Sequence, residues 1–275
     1  MTYVELLTQP RLDDAYYHSA NASRVYGWYL GDSQNYPPDR EAARAAVAVA
    51  PWVQQSARIN RAFQVQSYSW AWDTGVDQFL DLGCGWPHYP VLFDVLGREA
   101  PVVYVDHDPG VAAHLSTELD RGDATTVIRA DIVPMGSFLT SAPMRAAIDL
   151  DRPVAVFLGD VLPWWPEDTV VRQAMSELRA WMPARSILAI THLTADFTPS
   201  TVAALAGTYA EHGLAVRPRS REEIAELFGD FAQQGPGLCA TGQWHPDGPY
   251  ARRPAEHSAA FAGIAVKPTD NRRSP

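Results

Sequence analysis

Phe79-Leu80-Asp81-Leu82 runs directly into Gly83-Cys84-Gly85-Trp86-Pro87, and the reading of the whole chain hangs on this stretch. A short apolar run that ends in closely spaced glycines is the mark of a buried strand turning sharply at its carboxyl end. Glycine there lets the backbone come close to a ligand, at the edge where open α/β sheets bind their cofactors.

Downstream the pattern repeats. Val102-Val103-Tyr104-Val105, Thr125-Thr126-Val127-Ile128, Val154-Ala155-Val156-Phe157-Leu158 and Ser186-Ile187-Leu188-Ala189-Ile190-Thr191 are apolar runs separated by segments of helical spacing. That alternation predicts βαβ units and a parallel, Rossmann-like sheet of five strands. Gly237-Leu238-Cys239-Ala240-Thr241 and Phe261-Ala262-Gly263-Ile264-Ala265-Val266 have no convincing helix between them, and are expected to form an antiparallel pair at the sheet edge. Upstream, Asp39 to Val47 reads as a helix entered through Pro37-Pro38, and Val53 to Trp72 as another after the break at Pro51. The expected organisation is an N-terminal helical cap over 1–73, a cofactor-binding sheet domain over 74–266 and a loose tail over 267–275.

Composition narrows the function. A chain of 275 residues with 47% hydrophobic and 20% charged residues can bury a full α/β core. Its net charge of −10 argues against a nucleic-acid partner, because phosphate binding needs clustered Lys and Arg. The start has no basic region followed by an apolar core, and no stretch is apolar enough to span a bilayer, so a soluble, cytoplasmic protein without a membrane partner is expected. Two cysteines, Cys84 and Cys239, are too few and too far apart for a disulfide framework or a metal site, and no metal is expected.

Acids at the strand ends give the glycine loop its meaning. Asp106, 25 positions beyond Asp81, closes the second strand, where a carboxylate accepts two hydrogen bonds from a vicinal diol. Asp108 competes for that role. Asp131 ends the third strand, suited to accept from an adenine amine while Ile132 covers the ring. A dinucleotide would want a third glycine so that a helix amino terminus could reach its diphosphate. Here Gly85 is followed by Trp86-Pro87-His88, which blocks that approach, and S-adenosylmethionine, which has no diphosphate, fits better.

The chain also resembles, over nearly its whole length, a bacterial S-adenosyl methyltransferase family that long carried only the label of a domain of unknown function. The resemblance rests on Ala22-Ser23-Arg24-Val25-Tyr26-Gly27-Trp28-Tyr29-Leu30-Gly31, Ala57-Arg58-Ile59-Asn60-Arg61-Ala62-Phe63, Val103-Tyr104-Val105-Asp106-His107-Asp108-Pro109, Thr191-His192-Leu193-Thr194-Ala195-Asp196 and Arg219-Ser220-Arg221-Glu222-Glu223, with the glycine loop itself. It implies a class I methyltransferase fold that binds S-adenosylmethionine. After the fourth strand the chain departs from that family: Gly159-Asp160-Val161-Leu162-Pro163-Trp164-Trp165 puts Pro163 where the family has a histidine and adds an acid, Asp160.

Methyl transfer needs a positioned nucleophile and a base only if that nucleophile carries a proton. Asp160 and His192 are the catalytic candidates. Arg61 and Tyr26 are expected to close the cofactor's carboxylate end or the substrate pocket from the cap, as an alternative to a cap-to-core salt bridge. Trp164, Trp165 and Tyr29 are expected to line the acceptor pocket. The expected function is methylation of an O, N or C nucleophile on a small, apolar or aromatic metabolite, of the kind met in secondary metabolism, by a monomer or homodimer. A cyclase or lyase that releases methylthioadenosine and an idle cofactor sensor are the alternatives.

Overall fold

In the computed structural model, which describes residues 2–5, 14–97, 100–118 and 124–269, the strand at Phe79 is the second of nine. The strands are β1 (Thr2–Glu5), β2 (Phe79–Leu82), β3 (Val102–Asp106), β4 (Thr125–Arg129), β5 (Ala155–Gly159), β6 (Ile187–Leu193), β7 (Ala232–Gln233), β8 (Cys239–Ala240) and β9 (Ala260–Val266). They form one sheet in the order β1-β4-β3-β2-β5-β6-β9-β7, with β8 also on β9. β2 lies parallel between β3 and β5, so the glycine loop leaves the sheet at its middle.

The helices are α1 (Asp14–His18), α2 (Ala22–Leu30), α3 (Pro37–Val49), α4 (Val53–Asp73), α5 (Leu92–Val95), α6 (Pro109–Glu118), α7 (Met135–Leu139), α8 (Ala142–Ala147), α9 (Asp168–Trp181), α10 (Pro199–Glu211) and α11 (Arg221–Phe228). Period-two side-chain alternation divides them between two layers. Leu80, Leu82, Val103, Val156 and Leu188 face α7, α9 and α11, whereas Phe79, Val102, Tyr104, Phe157 and Ala189 face α4, α5 and α6. In α9 the buried Val171, Ala174, Met175 and Leu178 recur at helical spacing, so one stripe meets the sheet.

Five predicted parallel strands and the antiparallel partnership of β8 with β9 are present. Two features differ. β1 adds a sixth parallel strand, paired with β4 from Thr2↔Thr126 to Glu5↔Arg129, within a region read as helical throughout. It is too short to display alternation, and its sheet partner lies more than 120 residues away. β7 likewise joins β9 through only two residues. Lys267, read as the start of a loose tail, is tied down: its amide donates to the Ser186 carbonyl at 2.8 Å and its ammonium to the carbonyls of Arg179 and Met182. Positions 270–275 of that tail lie outside the described residues.

Val25, Ala42, Ala43, Ala46 and Ala57 of the N-terminal helices pack with Leu205 and Tyr209 of α10. The farther end of α4 contributes Phe63, Tyr68 and Ala71 to the sheet core. α4 therefore joins the packing of the N-terminal helices to the core of the sheet.

Candidate active site

The glycine loop is a hydrogen-bonded cradle. Gly83 and Gly85 both have φ of +65°, in the region that favours glycine. The Gly83 amide donates to the Val105 carbonyl at 2.8 Å, and a Cβ at Gly83 would come within 2.3 Å of Val161 Cγ2. The Gly85 amide donates to Asp106 Oδ2 at 2.9 Å, and the Asp108 amide donates to Oδ1, also at 2.9 Å. Asp106 is thereby held in one orientation at the carboxyl end of β3, and burial pushes its carboxyl above the ordinary range against those two hydrogen bonds.

Above the loop lies a cavity of about 400 Å³, within the range that suits a cofactor or drug-sized ligand. Of the residues expected to form the site, Asp81, Gly83, Gly85, Asp106, Asp131, Ile132, Arg61, Tyr26, Asp160, Trp164 and Trp165 line it. Asp81 accepts from the Tyr68 hydroxyl at 3.2 Å, and burial raises its carboxyl to about 6 although Arg61 and Tyr68 pull it down. Asp131 is exposed and accepts from the Val133 amide at 3.0 Å beside the buried Ile132. Tyr26 is held by Asn60, whose Nδ2 donates to its hydroxyl at 2.7 Å. Arg61 donates to the carbonyls of His88 and Pro90 and to Gln64 Oε1, pinning the turn after the glycine loop to α4.

Asp108, His192 and Tyr29 stand elsewhere, for separate reasons. Asp108 is 1% exposed and its carboxylate is already occupied: Tyr16 Oη at 2.9 Å, Asn21 Nδ2 at 3.0 Å and the Gly110 amide at 2.7 Å all donate to it. It caps the start of α6 and ties the N-terminal segment down. His192 is fully buried and outside the cavity wall. Arg219 Nη1 donates to its Nε2 at 3.0 Å, which leaves Nδ1 to donate to the Leu193 carbonyl at 2.8 Å. Both ring nitrogens of a neutral imidazole are satisfied, and burial depresses its pKa to about 3, so it is unsuited to serve as a base. Its partner Arg219 donates onward to the carbonyls of Leu162 and Trp165 and to Asp168, holding the turn that carries the two tryptophans. Tyr29 is 3% exposed, shares a 2.8 Å hydroxyl–hydroxyl hydrogen bond with Tyr209, and lines a separate, smaller chamber.

Asp160 has φ of +56°, a costly conformation for a residue with a side chain. Its amide donates to the Thr191 carbonyl at 3.1 Å, and its Oδ1 accepts from the Leu193 amide at 3.1 Å. The carboxyl thus stands at the junction of β5 and β6, and burial raises it to about 7.

Sequence reading missed Gln64 and Tyr68, which line the cavity from α4 beside Arg61. Their spacing from Arg61, at i+3 and i+7, places all three on one helical face and would have revealed them. Ser23 and Asn21 also line it, brought there by contacts that no local pattern announces.

The lining suits an amino-acid-bearing nucleoside cofactor: acids stand at the ends of three adjacent strands, and two donors, Arg61 Nε and Trp86 Nε1, are buried with no partner among the described residues. Cys84 is a free thiol in the wall, pushed well up by burial, which favours the thiol over the more nucleophilic thiolate. Among the described residues, no three His, Cys, Asp or Glu side chains converge as metal ligands, and no helix is long and apolar enough to cross a membrane.

Comparison with known proteins agrees with this geometry. The family model for S-adenosyl methyltransferases matches residues 8–268. A solved DUF574 family protein from Streptomyces avermitilis is 30% identical, with a TM-score of 0.87 over 92% of this chain and 99% of its own. A candidate methyltransferase from Thermobifida fusca is 31% identical, with a TM-score of 0.86 over 96% and 100%. N-methyltransferase NodS from Bradyrhizobium japonicum, solved with S-adenosyl-L-homocysteine, is 13% identical over 90% and 100%, with a TM-score of 0.51, a likeness of fold alone. No curated protein sequence matches. With a matched segment that runs from residue 8 to residue 268 and so contains β2 to β9 and the glycine loop, the chain belongs to the S-adenosyl methyltransferase family and is an S-adenosylmethionine-dependent methyltransferase.

Proposed function

We propose that this enzyme methylates an O, N or C nucleophile of a small molecule, in the cytoplasm and without a nucleic-acid partner, as a monomer or homodimer with residues 1–73 acting as the cap. The observation that carries the reading is the single continuous cavity that runs from Asp106 and Asp131 to Asp160, Trp164 and Trp165, walled on the cap side by Tyr26 and Arg61.

In this reading Asp106 holds the ribose diol, with Gly85 fixing the carboxylate. Asp131 accepts from the adenine amine and Ile132 covers the ring. At the opposite end Asp81 receives the methionine ammonium, a cation that would hold its raised carboxyl ionised. Arg61, with its unpartnered Nε, supplies positive charge for the methionine carboxylate. The cofactor contributes an electrophilic methyl group on a sulfonium. The chain's task is then to exclude water, hold the acceptor in line and provide a proton acceptor where the nucleophile needs one. Asp160 supports the last role because it lines the cavity beside Tyr26 and Trp164 with its carboxyl raised to about 7, where a base works best.

Incubating the purified protein with S-adenosylmethionine alone tests this reading, with calorimetry for binding and mass spectrometry for the fate of the cofactor. Binding with the cofactor left intact is expected. Accumulation of methylthioadenosine without an acceptor, abolished by Asp160→Ala, would overturn it in favour of cyclase or lyase chemistry.

A further inference from the structure

Tyr26, Asp160 and Trp164 line a second space as well as the first: behind them is a chamber of about 40 Å³. Trp52, Tyr29 and Tyr209 complete its aromatic walls, with Leu205 and Val216 among the apolar ones. Trp164 and Tyr209 meet at 5.4 Å between ring centroids, inclined at 56°. The lining includes one carboxyl and no Lys, Arg or His.

Two polar groups there are incompletely used. Asp160 has one hydrogen bond from a described residue, the Leu193 amide on Oδ1. Trp52 Nε1 is buried without a partner among the described residues.

This lining discriminates by chemistry. An anionic group would find no cation to pair with and would face Asp160. A neutral alcohol would leave the carboxylate's charge uncompensated in a low-dielectric pocket. An ammonium gains twice, from a charge-assisted hydrogen bond to the carboxylate and from the electron-rich ring faces around it. The net charge of −10 also draws cations towards the molecule. Size restricts the ligand further, since 40 Å³ has room for roughly three to four water-sized groups, a short alkyl chain but no fused ring.

We propose that this chamber is the recognition site of the methyl acceptor, and that the acceptor presents to it a small aliphatic amine, paired as an ammonium with Asp160 and enclosed by Tyr26, Trp52 and Trp164. The inference deepens the methyltransferase reading and rests on it for the word acceptor. Asp160 is placed to take a proton from the ammonium, the N–H bond breaking as the O–H bond forms, which returns a lone pair to nitrogen at the boundary with the larger cavity.

The test uses the full chain at pH 7.5 and three probes matched in size: n-propylamine, 1-propanol and propionate. Each is titrated by saturation-transfer NMR, with S-adenosylhomocysteine binding measured separately by calorimetry. Propylamine is expected to bind saturably and about tenfold or more tightly than either of the others, as the paired charge and the aromatic cage require. Asp160→Asn should abolish that preference. Val216→Phe, which fills the chamber from a partly buried position, should abolish propylamine binding and leave S-adenosylhomocysteine binding intact. Equal or tighter binding of propanol or propionate, no saturable binding of any probe, or propylamine binding that survives Val216→Phe would each overturn the proposal. Failure of S-adenosylhomocysteine to bind would strike the cofactor reading instead, and the amine titrations would still decide this one.

Discussion

Asp160 combines a left-handed backbone with a buried carboxyl raised to about 7, against an ordinary value of 3.8. The unfolded chain gives up this proton first as pH rises, so the native state binds more protons between those two values. Stability contributed at this position is therefore lost as pH rises through that window, and the penalty is complete above about 7. Asn keeps an acceptor for the Leu193 amide, tolerates positive φ better and does not titrate. Asp160→Asn should raise Tm at pH 8 by about 2–6 °C, equivalent to roughly 1–2 kcal/mol, with the gap closing towards pH 4. Thermal scans across that range check it, and a gap independent of pH would remove the electrostatic explanation. His192 makes the opposite case. His192→Ala would leave the Arg219 guanidinium, 3% exposed, without one of its acceptors, and should cost about 1–3 kcal/mol by chemical denaturation. Calorimetric affinity for S-adenosylmethionine should stay within about threefold, since His192 does not line the cavity. A catalytic base would show the reverse, with stability retained and turnover lost.

At the scale of elements, the site is assembled by two segments distant from the glycine loop. α4 brings Arg61, Gln64 and Tyr68 to the cavity on one face, a pattern present in the sequence. The segment from Tyr16 to Tyr26 is held by a polar knot: Arg24 Nε donates to Asp39 at 2.7 Å, its guanidinium lies 4.4 Å from the Tyr16 ring centroid, and Tyr16 and Asn21 both bond Asp108. Asp108→Ala removes the acceptor that anchors this segment to α6. It should expose the stretch between α1 and α2 to limited proteolysis and weaken cofactor binding by about tenfold, with β3 still folded. If digestion and affinity match the wild type, the anchor is not what closes the cavity. The capping box that opens α11, where Ser220 Oγ accepts from the Glu223 amide at 3.2 Å and Glu223 Oε2 accepts from the Ser220 amide at 2.7 Å, explains part of a motif first noticed as a family trait. The adjacent Arg219 serves the tryptophan turn instead.

Across the whole molecule, charge is what remains visible at a distance. At −10 the enzyme should not retard transfer RNA or duplex DNA in gels run at about 150 mM salt, where counterion release is the main source of non-specific binding. Retardation there would redirect the search for acceptors to nucleic acid. The parallel strands, the edge partnership of β8 with β9, the glycine loop and the acids at three strand ends were all legible by themselves, because burial of a sheet on both faces demands continuous apolar runs and a turn at positive φ demands glycine. The strand β1 was not legible, since four residues cannot display a period and its pairing is remote. The roles of Asp108 and His192 were not legible either. Each carries a side chain fit for chemistry, and only the surrounding fold decides whether its polar atoms face the cavity or are consumed by Tyr16 and Asn21 or by Arg219. The sequence by itself determined the five central parallel strands and the glycine loop, because these follow from local periodicity and backbone sterics; tertiary structure decided which carboxyl and which aromatics share a chamber, because hydrogen-bond saturation and burial depend on residues far apart in the chain.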